Sequence, residues 1–377
     1  MTEEHPGART AARPGALPAR RWVAVDHPAW RQAHASTVLA VGGDLLAAWF
    51  AGAGEGSPDT RIFCARRPAG APGWSAPEAV AAGDEAHWNP VLAAGPDGAV
   101  WLFFKRGPLI SGWATWVRRS ADGGRTWSPA VELVPGDAGG RGPVKNPPLL
   151  LPDGTWLAPG SRESWEAPAV WESFVDVSTD DGATWQRAPI PLQRDGLRGP
   201  GVIQPALWQD GGTVYALMRS SEGRAYRAWS TDGGRTWSAA QPVGLPNNNS
   251  GLAVVTLPDG SVGCVHNPVD GDWGARCPLV LSRSRDHGVS WQEVLTIEDG
   301  RTPVDGDPAR APRLPEPAAG FHPADGGVRT SGAGEYSYPA ATLAGDALTV
   351  TYTWQRRGIV EATVPVHSPT PEGPHPA

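Results

Sequence analysis

A nine-residue phrase recurs four times in this chain, as SADGGRTWS from Ser120, STDDGATWQ from Ser178, STDGGRTWS from Ser230 and SRDHGVSWQ from Ser284. The intervals are 58, 52 and 54 residues. A unit repeated at that period cannot bury its own apolar face and must stack on, or ring with, copies of itself, so the 377 residues are read as a repeat architecture before any division into domains. Each phrase follows a short β-type run, such as WATWVRR at 113–119, and precedes another stretch of apolar alternation. That places it at a strand-to-strand turn. Asp accepts from backbone amides two residues on, Gly supplies positive φ, Ser or Thr ties the loop, and Trp packs beneath it.

A second motif shares the period: an apolar run, a Gly/Asp turn and another apolar run. It appears as VLAVGGDLLAAWF (38–50), VLAAGPDGAVWLFF (91–104), LLLPDGTWLAP (149–159), ALWQDGGTVYALM (206–218), VVTLPDGSVGCVH (254–266) and ATLAGDALTVTYTW (341–354). Turn residues and spacing make these six β-hairpins. Six units of about 50 residues and about four strands each predict an all-β fold, a six-bladed β-propeller. No amphipathic helical pattern competes with it.

The expected organisation is one propeller domain over 21–366, with Pro-, Gly- and Ala-rich disordered tails at 1–20 and 367–377. A similar stretch at 299–333 is too long and proline-rich for a strand connection and reads as an exposed insertion. Charged residues are 19%, the net charge is −7 and the pI is about 5.7, which argues against nucleic-acid or anionic-membrane partners. Cys64, Cys264 and Cys277 have no metal-ligand spacing and are expected as buried free thiols. Neither a metal nor another cofactor is implied. No apolar run of signal-peptide type follows the N-terminus, so a cytoplasmic location is expected.

The consensus Ser/Thr-x-Asp-x-Gly-x-Thr-Trp is similar to the Asp box, or BNR repeat, of sialidases (neuraminidases), and over about residues 22–365 the chain resembles that superfamily of six-bladed propellers. The resemblance implies that Asp122, Asp180, Asp232 and Asp286 are structural, at outer turns away from the active site. Function has to be argued from other residues.

In a propeller those residues stand at the channel mouth, beside the hairpins. Before them come His34, His87 with Asn89, Lys145 with Asn146, Gln204, Asn247 to Ser250 including Asn249, and Glu335 with Tyr336 and Tyr338. After them come Glu55 and Asp59, Lys105, Arg162 and Glu163, Arg219, and Arg276. Together they form a polar funnel suited to an anionic sugar. Trp88 and Trp354 are candidates for stacking on its ring.

The sialidase resemblance implies roles. Three arginines clamp the substrate carboxylate, a tyrosine activated by a glutamate is the nucleophile, and an aspartate is the acid. In GEYSYP the nucleophile corresponds to Tyr336, while Tyr338, two residues on, would share its face; Arg219 and Arg276 match two of the arginines. His34 stands where the first arginine would be, and Gln204 where the glutamate would be. A glutamine cannot take a proton from a phenol. Glu55 and Asp59 are the candidates for the acid; Lys145, His87, Asn89, Lys105, Asn249 and Glu335 complete the expected substrate-binding set.

The implied activity is exo-acting hydrolysis at a terminal acidic sugar of an oligosaccharide or glycoconjugate. The motifs HAST, WNP, GPVKNPP, IQP, NNNSG and GEYSYP also resemble propeller enzymes that release rhamnose from glucuronate by elimination. That chemistry needs a cation at the carboxylate and a His or Tyr to remove the adjacent proton, and no tyrosine–glutamate pair. A non-catalytic glycan-binding propeller is the third reading.

Overall fold

The computed structural model describes residues 17–306 and 334–366. Among these residues the strands form six four-stranded antiparallel sheets, one per expected hairpin. The first strands of blades 1 to 6 are Gln32–Val41, His87–Ala94, Leu149–Leu150, Val202–Asp210, Ala253–Thr256 and Tyr336–Ala344. Those of blades 6, 1 and 2 touch in succession, as do those of blades 4, 5 and 6, which places them around a common axis. The fold is therefore the six-bladed propeller that the repeat predicts.

The ring closes by mixing the two ends of the chain. Ala19–Val25 pairs antiparallel with Gly358–Pro365 and becomes the outer strand of blade 6. Arg20 of that strand reaches Glu298 of blade 5 at 2.6 Å. The expected boundary of the N-terminal tail at residue 20 is thus corrected: Ala19 and Arg20 already belong to the propeller because strand pairing needs them. The start of the expected insertion moves as well, since the amides of Arg301 and Thr302 both donate to Asp299 Oδ1 at 2.8 Å and Trp22 Nε1 donates to Asp305. The remainder of that stretch, 307–333, lies outside the described residues, as do 1–16 and 367–377.

The four repeated phrases close the turns between the third and fourth strands of blades 2 to 5. In the third copy Asp232 accepts from Ser230 Oγ at 2.8 Å, the Thr236 amide at 2.9 Å and Thr236 Oγ1 at 2.6 Å, while Trp237 Nε1 donates to the Gly234 carbonyl at 3.0 Å. Donation from the Thr184 hydroxyl and amide, then from Ser178, brings Asp180 down to about 2. Against the effect of burial, equivalent donors hold Asp232 and Asp286 at about 2.

The boxes also join blades. A Cβ at Gly234, whose φ is +82°, would stand 2.7 Å from Leu157 in blade 3; one at Gly182 would meet Trp101 of blade 2 at 2.9 Å. Glycine therefore serves both the turn and the close approach to the preceding blade. Apolar side chains fill the space between sheets, as where Trp101 and Phe103 of blade 2 meet Trp156 of blade 3. Cys64 and Cys264 are buried free thiols and Cys277 is a half-buried one.

Candidate active site at the channel mouth

Each blade's first strand begins at the end of the ring opposite the boxes, and there four of the six strands share a defect. Paired register slips between His34 and Thr37, Trp88 and Val91, Ile203 and Ala206, and Ser337 and Ala340. In each, two residues oppose one on the second strand, which is a β-bulge. The first bulged residue is left-handed: Ala35, Asn89, Gln204 and Tyr338 have φ of +53°, +42°, +57° and +50°, and Asn249 just before the first strand of blade 5 has +56°. Such a conformation costs a non-glycine residue about 1–3 kcal/mol. Its repetition at one level of the ring re-aims side chains toward the axis.

The bulge separates the two tyrosines. Tyr336, expected as the nucleophile, is fully buried among Val265, Leu279, Ile297 and Tyr352, and its hydroxyl accepts from Gln355 Nε2 at 2.8 Å. Burial raises its phenol far above the ordinary range. Tyr338 occupies the place expected for it: its hydroxyl accepts from Arg219 Nη1 at 2.6 Å, and its ring lies 4.4 Å from that of His34. The expectation that the two would share a face fails because the left-handed residue interrupts the two-residue alternation.

Arg219 is the hub of the mouth. Its Nε donates to Asn249 Oδ1 at 2.8 Å and its Nη1 also reaches Gln204 Oε1 at 3.3 Å. The guanidinium stands 5.6 to 5.8 Å from the rings of Trp171, Trp273 and Tyr338. Arg276 also lies near Tyr338, 5.7 Å from the ring, and donates to Glu335 at 2.7 Å. Arg356 donates to the second oxygen of Glu335 at 2.9 Å and to Glu55 at 2.5 Å. Although burial opposes it, the charges of Arg356 and Arg276 hold Glu335 well below the usual carboxylate range.

His34 is 1% exposed and shares a hydrogen bond with Thr353 Oγ1 at 2.9 Å. Burial, and then the charge of Arg356, hold its pKa well below the ordinary value, so it is neutral at pH 7.

Other expected residues stand apart from this group. Lys145 is sealed beneath it: its Nζ donates to Asn146, to the Leu252 carbonyl at 2.9 Å and to the Pro339 carbonyl, tying blades 3, 5 and 6, and burial brings it down to about 7. Lys105 is buried between blades 2 and 3, where it donates to Thr115 and to the carbonyls of Gly140 and Arg141. His87 bonds the Glu85 carbonyl at 2.9 Å and stacks on Phe104. Asp59 accepts from the Ala53 amide at 3.0 Å within its own loop. Asn89 holds the bulge position of blade 2. Trp88 and Trp354, offered as sugar platforms, are each 1% exposed and belong to the core, where flat aromatic area is buried between sheets.

Arg356, Asp272, Trp171 and Trp273 belong to the mouth and were missed. Arg356 was legible only as the first Arg of a QRRG turn. Asp272, which accepts from Asn249 Nδ2 at 2.5 Å, sits in a loop read only for Arg276. Among the described residues no group of three or more His, Cys, Asp or Glu side chains could hold a metal ion.

The family model described as a BNR repeat-like domain matches residues 43–350. No curated protein matches the sequence. Among solved structures, the chain is similar to a protein of unknown function from Dyadobacter fermentans, with a TM-score of 0.65 and 17% identity over 93% of this chain and 100% of that one. A mutant NanB sialidase from Streptococcus pneumoniae gives a TM-score of 0.65 at 10% identity, covering 94% of this chain and 72% of that one. A mutant Trypanosoma rangeli sialidase displaying trans-sialidase activity gives 0.60 at 14% identity over 88% of this chain; this chain spans about half, 54%, of its length. At such identities the likeness is one of fold.

Proposed function

Because the chain belongs to the BNR repeat-like domain family, within the sialidase-type six-bladed propellers, we propose that it is an exo-acting glycan hydrolase whose pocket takes a terminal acidic sugar. The observation that carries this reading is the 2.6 Å contact from Arg219 Nη1 to the Tyr338 hydroxyl at the channel mouth, with Arg276 5.7 Å from the same ring. Guanidinium groups meet a carboxylate with matched donors, so Arg219 and Arg276 receive the acidic group of the sugar. Tyr338 then faces the carbon that carries the glycosidic bond. A phenol is a suitable nucleophile beside an anionic substrate, and negative charge on its oxygen is met by Arg219. His34, neutral and against the Tyr338 ring, shapes the wall.

Elimination from a uronate is the second reading, and the position of Gln204 favours it. The side chain there bonds Arg219 and is no base, so Tyr338 lacks the glutamate partner of a sialidase-type nucleophile. Tyr338 or neutral His34 would instead take the proton next to the carboxylate while the arginines hold the resulting charge. The two readings, and a binding role, separate in one assay on sialyl- and uronyl-terminated oligosaccharides. Hydrolysis releases the acidic sugar without a new chromophore; elimination creates an unsaturated uronate absorbing in the ultraviolet. Binding with neither product leaves the propeller as a glycan-binding module.

A further inference from the structure

The hydrolytic reading needs a proton for the departing oxygen, and most carboxylates at the mouth are committed to other partners. Glu335 is held by Arg276 and Arg356 and Glu55 by Arg356 at 2.5 Å, while Asp59 is exposed and turned to the Ala53 amide of its own loop, outside the hydrogen-bonded group of Arg219 and Tyr338. Glu335, held between two buried arginines, stays ionised and cannot serve as an acid.

Asp272 is placed differently. It lies on the loop joining Val262–His266 to Leu279–Ser284 in blade 5, on the face of the ring where the bulges stand. Left-handed backbone on both sides, at Gly271 (φ +101°) and Trp273 (φ +54°), turns the carboxyl toward Asn249. The loop is tied down by Gly274 N donating to the Asn248 carbonyl at 3.1 Å and Asn248 Nδ2 donating to the Ala275 carbonyl at 2.7 Å. Asn249 is the bridge. Its Nδ2 donates to Asp272 Oδ1 at 2.5 Å and its Oδ1 accepts from Arg219 Nε at 2.8 Å, so three hydrogen bonds connect Asp272 to the Tyr338 hydroxyl. A neutral amide donor, unlike a guanidinium, leaves the carboxyl able to carry a proton on its other oxygen.

We propose that Asp272, at the rim beside Asn249 and Arg219, is the acid that protonates the leaving glycosidic oxygen, an inference that rests on the hydrolase reading above. The C–O bond breaks with its electron pair on the leaving oxygen, which takes the Asp272 proton and departs as an alcohol. The Tyr338 oxygen forms the new bond to the sugar beside Arg219 as its phenolic proton passes to solvent water. Water then attacks that carbon, its proton returns to Asp272, and the tyrosine oxygen leaves and takes a proton back from solvent. Asp272 is exposed at the rim, and the partial desolvation of its carboxyl there raises it above the ordinary aspartate value; Glu222 adds to this, and the Asn249 amide, the Arg219 charge and the Trp273 backbone oppose it. The direction favours the protonated form, as an acid requires.

The test is leaving-group dependence in the full chain. A sialyl-lactose needs its alcohol protonated, whereas the phenolic leaving group of a 4-methylumbelliferyl sialoside does not. Asp272→Asn is expected to slow the first substrate by about 10²–10⁴-fold, the usual worth of general acid catalysis, and the second by only about a few-fold. The alkaline limb of the pH–rate profile is expected to vanish with it. Equal slowing of both substrates with an unchanged pH profile overturns the inference and leaves Asp272 as a support for Asn249. Wild-type protein inactive on both overturns the hydrolase reading, and this inference falls with it.

Discussion

Arg219 in blade 4 and Tyr338 in blade 6 meet across the channel mouth at 2.6 Å, although 119 residues separate them. The two halves of the contact have different origins. Arg219 is the next-to-last residue of the strand Thr213–Ser220, opposite Ile203, while Tyr338 reaches it from a left-handed bulge.

The two tyrosines give the sharpest test. Tyr338→Phe removes the oxygen that Arg219 faces and is expected to lower kcat by about 10²–10⁴-fold. Tyr336→Phe removes one buried hydrogen bond, costs stability of about 1 kcal/mol and leaves kcat near wild type. Steady-state kinetics on the same acidic glycan decide it; a larger loss from the Tyr336 variant would return the nucleophile to that position.

Arg219→Lys replaces a fork that bonds Asn249, Gln204 and Tyr338 together with a single ammonium. The substitution is expected to raise KM and lower kcat, by about tenfold or more combined, without unfolding the ring. Kinetics alongside a melting curve would show the two effects apart.

Glu335→Ala leaves two arginines, each about nine-tenths or more buried, without their shared counter-ion. Breaking a buried pair by removing one partner costs about 3–5 kcal/mol. Chemical denaturation should show that loss, and a change near zero would mean that water or Glu55 takes over the charge.

The repeated turns predict acid lability. Asp180 lies at about 2 in the folded chain against an ordinary 3.8, so its folded value is depressed. Its contribution to stability is complete above about pH 4 and is lost as pH falls toward 2. Asp232 and Asp286 act in the same window. Unfolding midpoints measured from pH 5 to pH 2 should fall, and Asp180→Asn should flatten part of that slope.

Much of the site was legible because propeller geometry converts position in a repeat into position at the axis. His34, Gln204, Arg219, Asn249, Arg276 and Glu335 flank hairpins in the sequence, and they converge around Tyr338 in space. Lys145, Lys105 and His87 flank hairpins too, yet each turns to a backbone carbonyl. Whether a side chain looks into the channel or between blades depends on a local rotation that residue type does not encode.

By itself the sequence determined the blade count and the register. Four copies of one turn phrase and six Gly/Asp hairpins are local signals, and local backbone chemistry is sufficient to specify turns. Which tyrosine faces the arginines was decided only by the tertiary structure. In an unbroken strand Tyr336 and Tyr338 would share a face; the bulge at Tyr338, held between Ser337 opposite Thr353 and Ala340 opposite Thr351, breaks that alternation. It sends one ring into the core and the other to Arg219, because a bulge exists only through pairing with a neighbouring strand that the local residues do not contain.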